Sequence, residues 1–168
     1  MVPATAVICA ILGLVAAGLG EPFLFPTVGP TLFLLFYVPM SPMSAPRNVI
    51  LGQAIGMLSG YLCVVLFGLR EVPADLFNLS LARVGAIVLA LSLSFTLMIW
   101  LGFEHPPAAA TVLVVALGLL STPLDLLLMM LAMAYILVSA FAVNRLAGIH
   151  VPVWAPRATP ATPGSHAR

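Results

Sequence analysis

Four stretches of the chain, Val2–Leu19, Val49–Leu69, Leu81–Leu101 and Leu124–Val143, each run close to twenty residues with at most one charged side chain. A helix needs about 20 mostly apolar residues to cross the hydrocarbon core of a bilayer. Because lipid cannot bond backbone N–H and C=O groups, such stretches must bond their own backbone as helices. They commit the chain to an all-α membrane protein. Only 7% of the residues are charged and the mean hydropathy is +1.20, whereas a soluble domain carries about a quarter charged residues. There is too little charge here to cover a soluble surface.

The first residues, "MVPATAVICAILG", place no Lys or Arg ahead of the first apolar stretch, which favours a true first span over a cleaved secretory signal. The net charge is +1, from six arginines and no lysine, so the basic excess of a nucleic-acid binder is missing. Cys9 and Cys63 both lie inside apolar spans without nearby histidines. They read as packing residues, not as a disulfide or a metal site, and no cofactor is expected. The chain has no His-Glu-x-x-His pattern, nucleophile–base spacing or nucleotide loop, so an enzyme is not expected either.

Residues 1–150 form a single membrane domain on this reading, and the Pro/Thr/Ala-rich segment 151–168 is a disordered tail. With four crossings, Arg70, Arg83, Arg145, Arg157 and Arg168 share one face and Arg47 lies opposite. The positive-inside rule then puts both termini and the loop "REVPADLFNLS" in the cytoplasm, in a plasma (inner) membrane. Arg83 would snorkel to the interface, and Tyr37 and Trp100 would anchor the other face.

Two apolar runs are too short to span: "GPTLFLLFYVPMSP" (Gly29–Pro42) and "ATVLVVALGLLSTP" (Ala110–Pro123). Thr31 and Ser41 have the same spacing as Thr111 and Ser121, and an offset of 80 residues carries Pro26 onto Pro106 and Thr31 onto Thr111. The chain therefore reads as an internal duplication, with repeat one over about residues 1–70 and repeat two over about 80–145. Each unit holds a span, a Glu, a proline-broken lead-in, a half-length helix, a Ser/Pro turn and a second span. With two spans per unit the copies would run in the same direction. Irregular backbone at membrane depth must be shielded by protein or line a wet cavity, and an eleven-residue helix rises only about 16 Å. Both short runs are expected as re-entrant half-helices that dip from the non-cytoplasmic face, with their N-termini near the bilayer centre. Proline suits a helix's first turn, where a missing N–H costs nothing, and His105, before Pro106, is biased toward an extended shape.

Paired, proline-interrupted segments at matching positions of two halves point to a transporter's binding site. Helix N-termini carry about +0.5 charge and free N–H donors, so they favour an anion. One helix end contributes roughly 0.3–2 kcal/mol, while dehydrating an ion costs several kcal/mol even after relaxation. Side chains must supply the rest. The candidates are His105, Pro106, Pro107 and Thr111 from the second unit, and Thr27, Thr31, Arg47 and Asn48 from the first, with Gln53 a further amide. Arg47 would draw anions to the mouth.

"HPPAAATVLVVALG" together with "SPMSAPRNVILGQ" resembles the HPP family of integral membrane proteins, named for its His-Pro-Pro motif, over about residues 5–145. The motif residues carried over are His105, Pro106 and Pro107, with Pro46, Arg47 and Asn48. The resemblance implies a four-span protein, and nitrite transport, in which plastid and cyanobacterial members are implicated. Two departures stand out: Ala108 and Ala109 occupy positions where the family often has glycine, and Gln53 one where it often has histidine.

Glu21 and Glu104 occupy matching places after the first and third spans and could relay protons, though acids also repel anions and could simply bond the backbone or Arg47. His105 could line the path or bond carbonyls freed by the prolines. Asp125 after Thr122 is an N-cap pattern. Met129, Met130 and Met133 are ordinary filler. Gly52, Gly56 and Gly60 recur every four residues, a spacing that lets helices approach closely, either between the halves or as a homodimer seam. The partners expected are the lipid bilayer and a small inorganic anion. The alternatives are a proton or cation pathway through Glu21, Glu104 and His105, or a non-transporting scaffold.

Overall fold

The computed structural model of the chain describes residues 2–21, 23–120 and 122–156. Their regular structure is six α-helices, α1 (Val2–Leu19), α2 (Val28–Tyr37), α3 (Pro46–Leu66), α4 (Leu81–Leu101), α5 (Ala108–Ala116) and α6 (Pro123–Leu146), with a 3₁₀ turn at Pro42–Ser44. α1, α3, α4 and α6 are long and apolar enough to cross a membrane. The chain is therefore an integral membrane protein with four spanning-length helices and two short ones.

Local chemistry sets the boundaries. α3 begins at Pro46, three residues before the apolar run suggests, because proline is well placed at a helix's first position. The Ser80 side chain accepts from Arg83 N at 3.2 Å to start α4, and Gly102, at φ 69°, ends it in the left-handed conformation that favours glycine. Thr122 and Asp125 cap α6 reciprocally, as their spacing predicts: Asp125 N donates to Thr122 Oγ1 at 3.1 Å and Thr122 N to Asp125 Oδ2 at 2.9 Å. The short helices are 10 and 9 residues long, a rise of about 13–15 Å each. α5 begins two residues earlier than expected and ends at Ala116; Ser121, part of the expected repeat spacing, lies outside the described residues.

α3 is the most enclosed long helix and packs against α4, α5 and α6, while α6 packs against α1, α2 and α3. The glycine stripe on α3 makes one of these contacts possible. A Cβ on Gly52 would stand 2.7 Å from His105 Cβ, one on Gly56 3.0 Å from the Ala108 carbonyl oxygen, and one on Gly60 2.9 Å from Val115 Cβ. The stripe is filled by residues 103–115 of the same chain, the first of the two uses its spacing allows.

Bonds between helix ends fix how the chain is laid out. Arg47, at the start of α3, donates from Nη2 to the Gly102 carbonyl at 3.3 Å, where α4 ends. Arg83, near the start of α4, donates from Nη1 to the Ala116 carbonyl at 3.3 Å, where α5 ends. Residues 103–116 thus run back along the length of α4. A hairpin dipping from one face would have brought Ala116 back beside Gly102. In the first unit the chain also doubles back on α1, with Leu24 Cδ1 3.2 Å from where a Cβ on Gly13 would lie. The last turn of α2 meets the far end of α6, where Asn144 Nδ2 donates to the Leu35 carbonyl at 2.9 Å.

Two further expectations change. Arg83 does not snorkel outward: it is buried, donating also from Nη2 to the Val72 carbonyl at 2.8 Å. A cation over the last carbonyls of α5 complements the helix dipole, and that outweighs hydration by headgroup water. The start of the expected disordered tail is also packed. Val151 is buried, and the Trp154 carbonyl accepts from Arg47 N at 3.0 Å. Residues 157–168 lie outside those described.

Candidate functional site: a buried polar cluster between two short helices

α2 and α5 meet end to end at their N-termini. Their N-cap residues are Thr27 and Pro107, which the 80-residue offset pairs with each other. The Thr27 hydroxyl donates to the Pro107 carbonyl at 2.7 Å. Gln53 reaches this junction from α3. Its Nε2 donates to Thr27 Oγ1 at 3.0 Å, and its Oε1 accepts from the Thr111 hydroxyl at 2.5 Å. A single directed chain of hydrogen bonds therefore runs from Thr111 through the carboxamide and Thr27 to Pro107.

His105 closes the cluster on another side. Its Nδ1 lies 2.9 Å from the Met43 carbonyl and its Nε2 3.4 Å from Thr31 Oγ1. A carbonyl can only accept, so Nδ1 carries the hydrogen, and in the neutral ring Nε2 accepts from Thr31. The 3₁₀ turn of the first unit is thereby tied to the broken lead-in of the second. Asn48 secures the same lead-in, with Nδ2 donating to the Glu104 carbonyl at 3.5 Å and Oδ1 accepting from Arg47 Nε at 3.2 Å. Arg47 also lies over the Phe103 ring, its Cζ 5.2 Å from the centroid.

The cluster is sealed. Thr27, Thr31 and Gln53 have no exposed surface, and His105 and Thr111 are 1% exposed. Burying an amide or hydroxyl without a partner costs roughly 2–7 kcal/mol, and here each such group is paired within the cluster or to a carbonyl. The free N–H donors expected at the tip of α5 are also engaged. Ala108, Ala109 and Ala110 donate to the carbonyls of His105, Pro106 and Pro107 at 3.0, 3.0 and 3.1 Å, because the turn preceding α5 winds into it. What the tips offer is their dipole and the threonine hydroxyls. Beside the cluster, His105, Pro106 and Glu104 line a groove of about 380 Å³ together with Met43, Met98 and Phe95.

The sequence-derived residues thus divide. His105, Pro107, Thr111, Thr27 and Thr31 come together. Pro106 lines the groove beside His105. Arg47 and Asn48 brace the lead-in and the end of α4 and do not reach the threonines through any bond described above. Glu104 is exposed at the groove, and the bonds of Glu21 are backbone bonds that close α1, to the Ala16 carbonyl and from Phe23 N. The residue undervalued from sequence is Gln53. Its signal is that it is the chain's one glutamine and stands within an apolar span, where polar side chains are costly and retained for a reason. Ser94 Oγ on α4 and Asn144 Oδ1 are buried without a partner, and neither was legible. Among the described residues, no three His, Cys, Asp or Glu side chains gather as a metal site would require.

Comparison with known proteins agrees with the motif residues. The family model for the HPP transmembrane region matches residues 1–152. A transmembrane protein of Dictyostelium discoideum is 35% identical over 85 residues, which is 51% of this chain and 27% of the relative. The chain therefore spans about a quarter of that relative's length. No solved structure matches.

Proposed function

The chain belongs to the HPP family of integral membrane proteins, and from that premise we propose that it carries a small monovalent anion across the bilayer, nitrite being the best candidate. One observation carries the proposal: the N-caps of two half-length helices meet at Thr27 and Pro107 within a polar cluster at mid-depth. Ala108, the first residue of α5, packs on Gly56, the eleventh residue of the 21-residue α3. The tips are therefore about 15 Å from either end of that helix. The two dipoles make this spot electropositive, and the hydroxyls of Thr27, Thr31 and Thr111 are suited to anion oxygens. The nitrite assignment rests on the family resemblance.

The layout of the helix ends supports a different topology from two hairpins dipping from one face. Each short helix and its extended lead-in would make a crossing of their own, six in all, with three per unit. An odd number per unit inverts the second copy, and the contact pattern agrees: α3 of the first unit packs on α4 and α5, and α6 of the second on α1 and α2. α2 and α5 then approach the bilayer centre from opposite faces, as half-helices do at the sites of inverted-repeat transporters. Both termini would lie on one face with Arg47 and Arg145, and Arg70 and Arg83 on the other. Arg157 and Arg168 follow Arg145 with no further span between them, so the split is four to two, and the charge bias toward cytoplasmic termini is weaker than five to one. Glu21 and Glu104 would stand at opposite faces, which weakens a shared proton relay.

Because the cluster is sealed, transport requires it to open alternately. The test is uptake of nitrite, nitrate, formate and chloride into proteoliposomes across a range of pH. Nitrite flux that falls in Thr111→Val and His105→Ala supports the reading, and no anion flux at any pH refutes it. Flux that is abolished by Glu104→Gln and indifferent to the anion would instead favour a proton pathway. A scaffold is the second reading, favoured by the cluster's complete internal pairing. It expects those substitutions to change stability alone.

A further inference from the structure

We propose that the Gln53 carboxamide is the cluster's own surrogate ligand: it fills the place of a planar oxyanion between the two helix tips and swings aside when one binds. This rests on the transport reading above. The cluster offers two threonine hydroxyls at matched positions in the first turns of α2 and α5, Thr31 and Thr111. Each meets an acceptor supplied by the chain itself, His105 Nε2 at 3.4 Å and Gln53 Oε1 at 2.5 Å. A third hydroxyl, Thr27, faces the other arm of the same carboxamide at 3.0 Å.

A carboxamide is a flat three-atom fork, O–C–N, with the size and shape of the O–N–O of nitrite or the O–C–O of formate. If such an anion took its place, one oxygen would accept from Thr111. The other would accept from Thr27, whose hydroxyl turns away from Pro107. The Pro107 carbonyl keeps its bond from Ala110 N at 3.1 Å, so the turn of the Thr27 hydroxyl does not strand it. A halide has one acceptor centre and does not reproduce the two-armed pattern of the carboxamide. The proposed ligand class is therefore a bent or planar anion with two acceptor oxygens.

A polar staple of this kind is not needed to pack the junction. The position related to Gln53 by the 80-residue offset is Met133, buried at 1% exposure, so the matched place in the other unit is filled by an apolar side chain. His105, whose Nε2 contacts Thr31 in the cluster, also lines the groove with Glu104, so an approach to the carboxamide from that side leads past this residue.

Gln53 is the chain's one glutamine, so labelling with [¹⁵N]glutamine reports a single side-chain NH₂ signal. In the full chain in detergent micelles, that signal is expected to shift and to exchange faster with water on titration with sodium nitrite or formate, and to stay in place with sodium chloride. In parallel, proteoliposome uptake compares the wild type with Gln53→Ala and Gln53→Met. If the swung-out state is about 1–10% populated, removing the competitor raises apparent nitrite affinity about 10–100-fold. Nitrite flux with an unmoved NH₂ signal, or with no gain in affinity in either variant, overturns the surrogate-ligand proposal and leaves the transport reading intact. Absence of flux together with an unmoved signal overturns both.

Discussion

Gly52 is where the second unit's lead-in comes closest to α3, and replacing it by alanine tests the junction most directly. The added Cβ would stand 2.7 Å from His105 Cβ and 3.0 Å from the Phe103 carbonyl oxygen. Neither neighbour is the free end of a flexible side chain. One is the root of a buried imidazole tethered at both nitrogens, and the other is backbone. The lead-in must therefore move as a unit, and forcing a methyl group into a packed site costs about 1–3 kcal/mol. For a chain of this length that lowers Tm by roughly 2–12 °C. Gly29→Ala is the control, because nothing lies within 4 Å of its added Cβ and alanine is preferred to glycine in a helix by about 0.5–1 kcal/mol. Thermal unfolding of the purified chain in one detergent compares the two. A Gly52→Ala chain as stable as Gly29→Ala would show that residues 103–105 do not press on α3, and the cluster's geometry would fall with that contact.

Other outcomes follow from individual residues. In a chain with Cys9 and Cys63 replaced by alanine, single cysteines at Phe77 and Leu119 should react with a membrane-impermeant maleimide from the same face and one at Gly102 from the opposite face; Leu119 reacting with Gly102 would restore the hairpins. Arg83→Met leaves the Ala116 and Val72 carbonyls without their side-chain donor, and at about 1–3 kcal/mol for a lost buried partner it should lower Tm clearly more than Arg70→Met does. Thr27→Val removes the donor to Pro107 and the acceptor for Gln53 together and should destabilise by a similar amount, read by chemical unfolding in micelles. Asp75, in the loop after α3, is held below its ordinary carboxylate range, first by the Asn78 side chain and then by the N–H groups of Phe77 and Asn78. The order it lends the loop is present at neutral pH and lost as pH falls through that lowered value, and Asn78→Ala should move its titration, followed by NMR, upward.

The long helices and their caps were legible because they depend on local chemistry. About twenty apolar residues make a spanning helix wherever they fall, and Thr122 with Asp125 forms its capping box from residues three apart. The 80-residue offset between Pro26 and Pro106 was also visible, and the same offset separates Thr27 from Pro107, which are hydrogen-bonded. The cluster's membership was partly visible for the same reason, since Thr27, Thr31, His105 and Thr111 surround the broken lead-ins. What these side chains do to one another was not.

The sequence by itself determined that the chain lives in lipid, that four helices are long enough to span, and that two short ones begin at proline breaks. Hydropathy and helix-end chemistry act over a few residues, so no partner elsewhere in the chain was needed to read them. Only the tertiary structure decided which way the short helices run, that Gly52, Gly56 and Gly60 receive the second unit, and that Gln53 joins the two tips. Those outcomes depend on contacts such as Arg83 with Ala116 and Gln53 with Thr111, between residues tens of positions apart. Such contacts are selected by packing and by the need to pair every buried polar group, which no local pattern encodes.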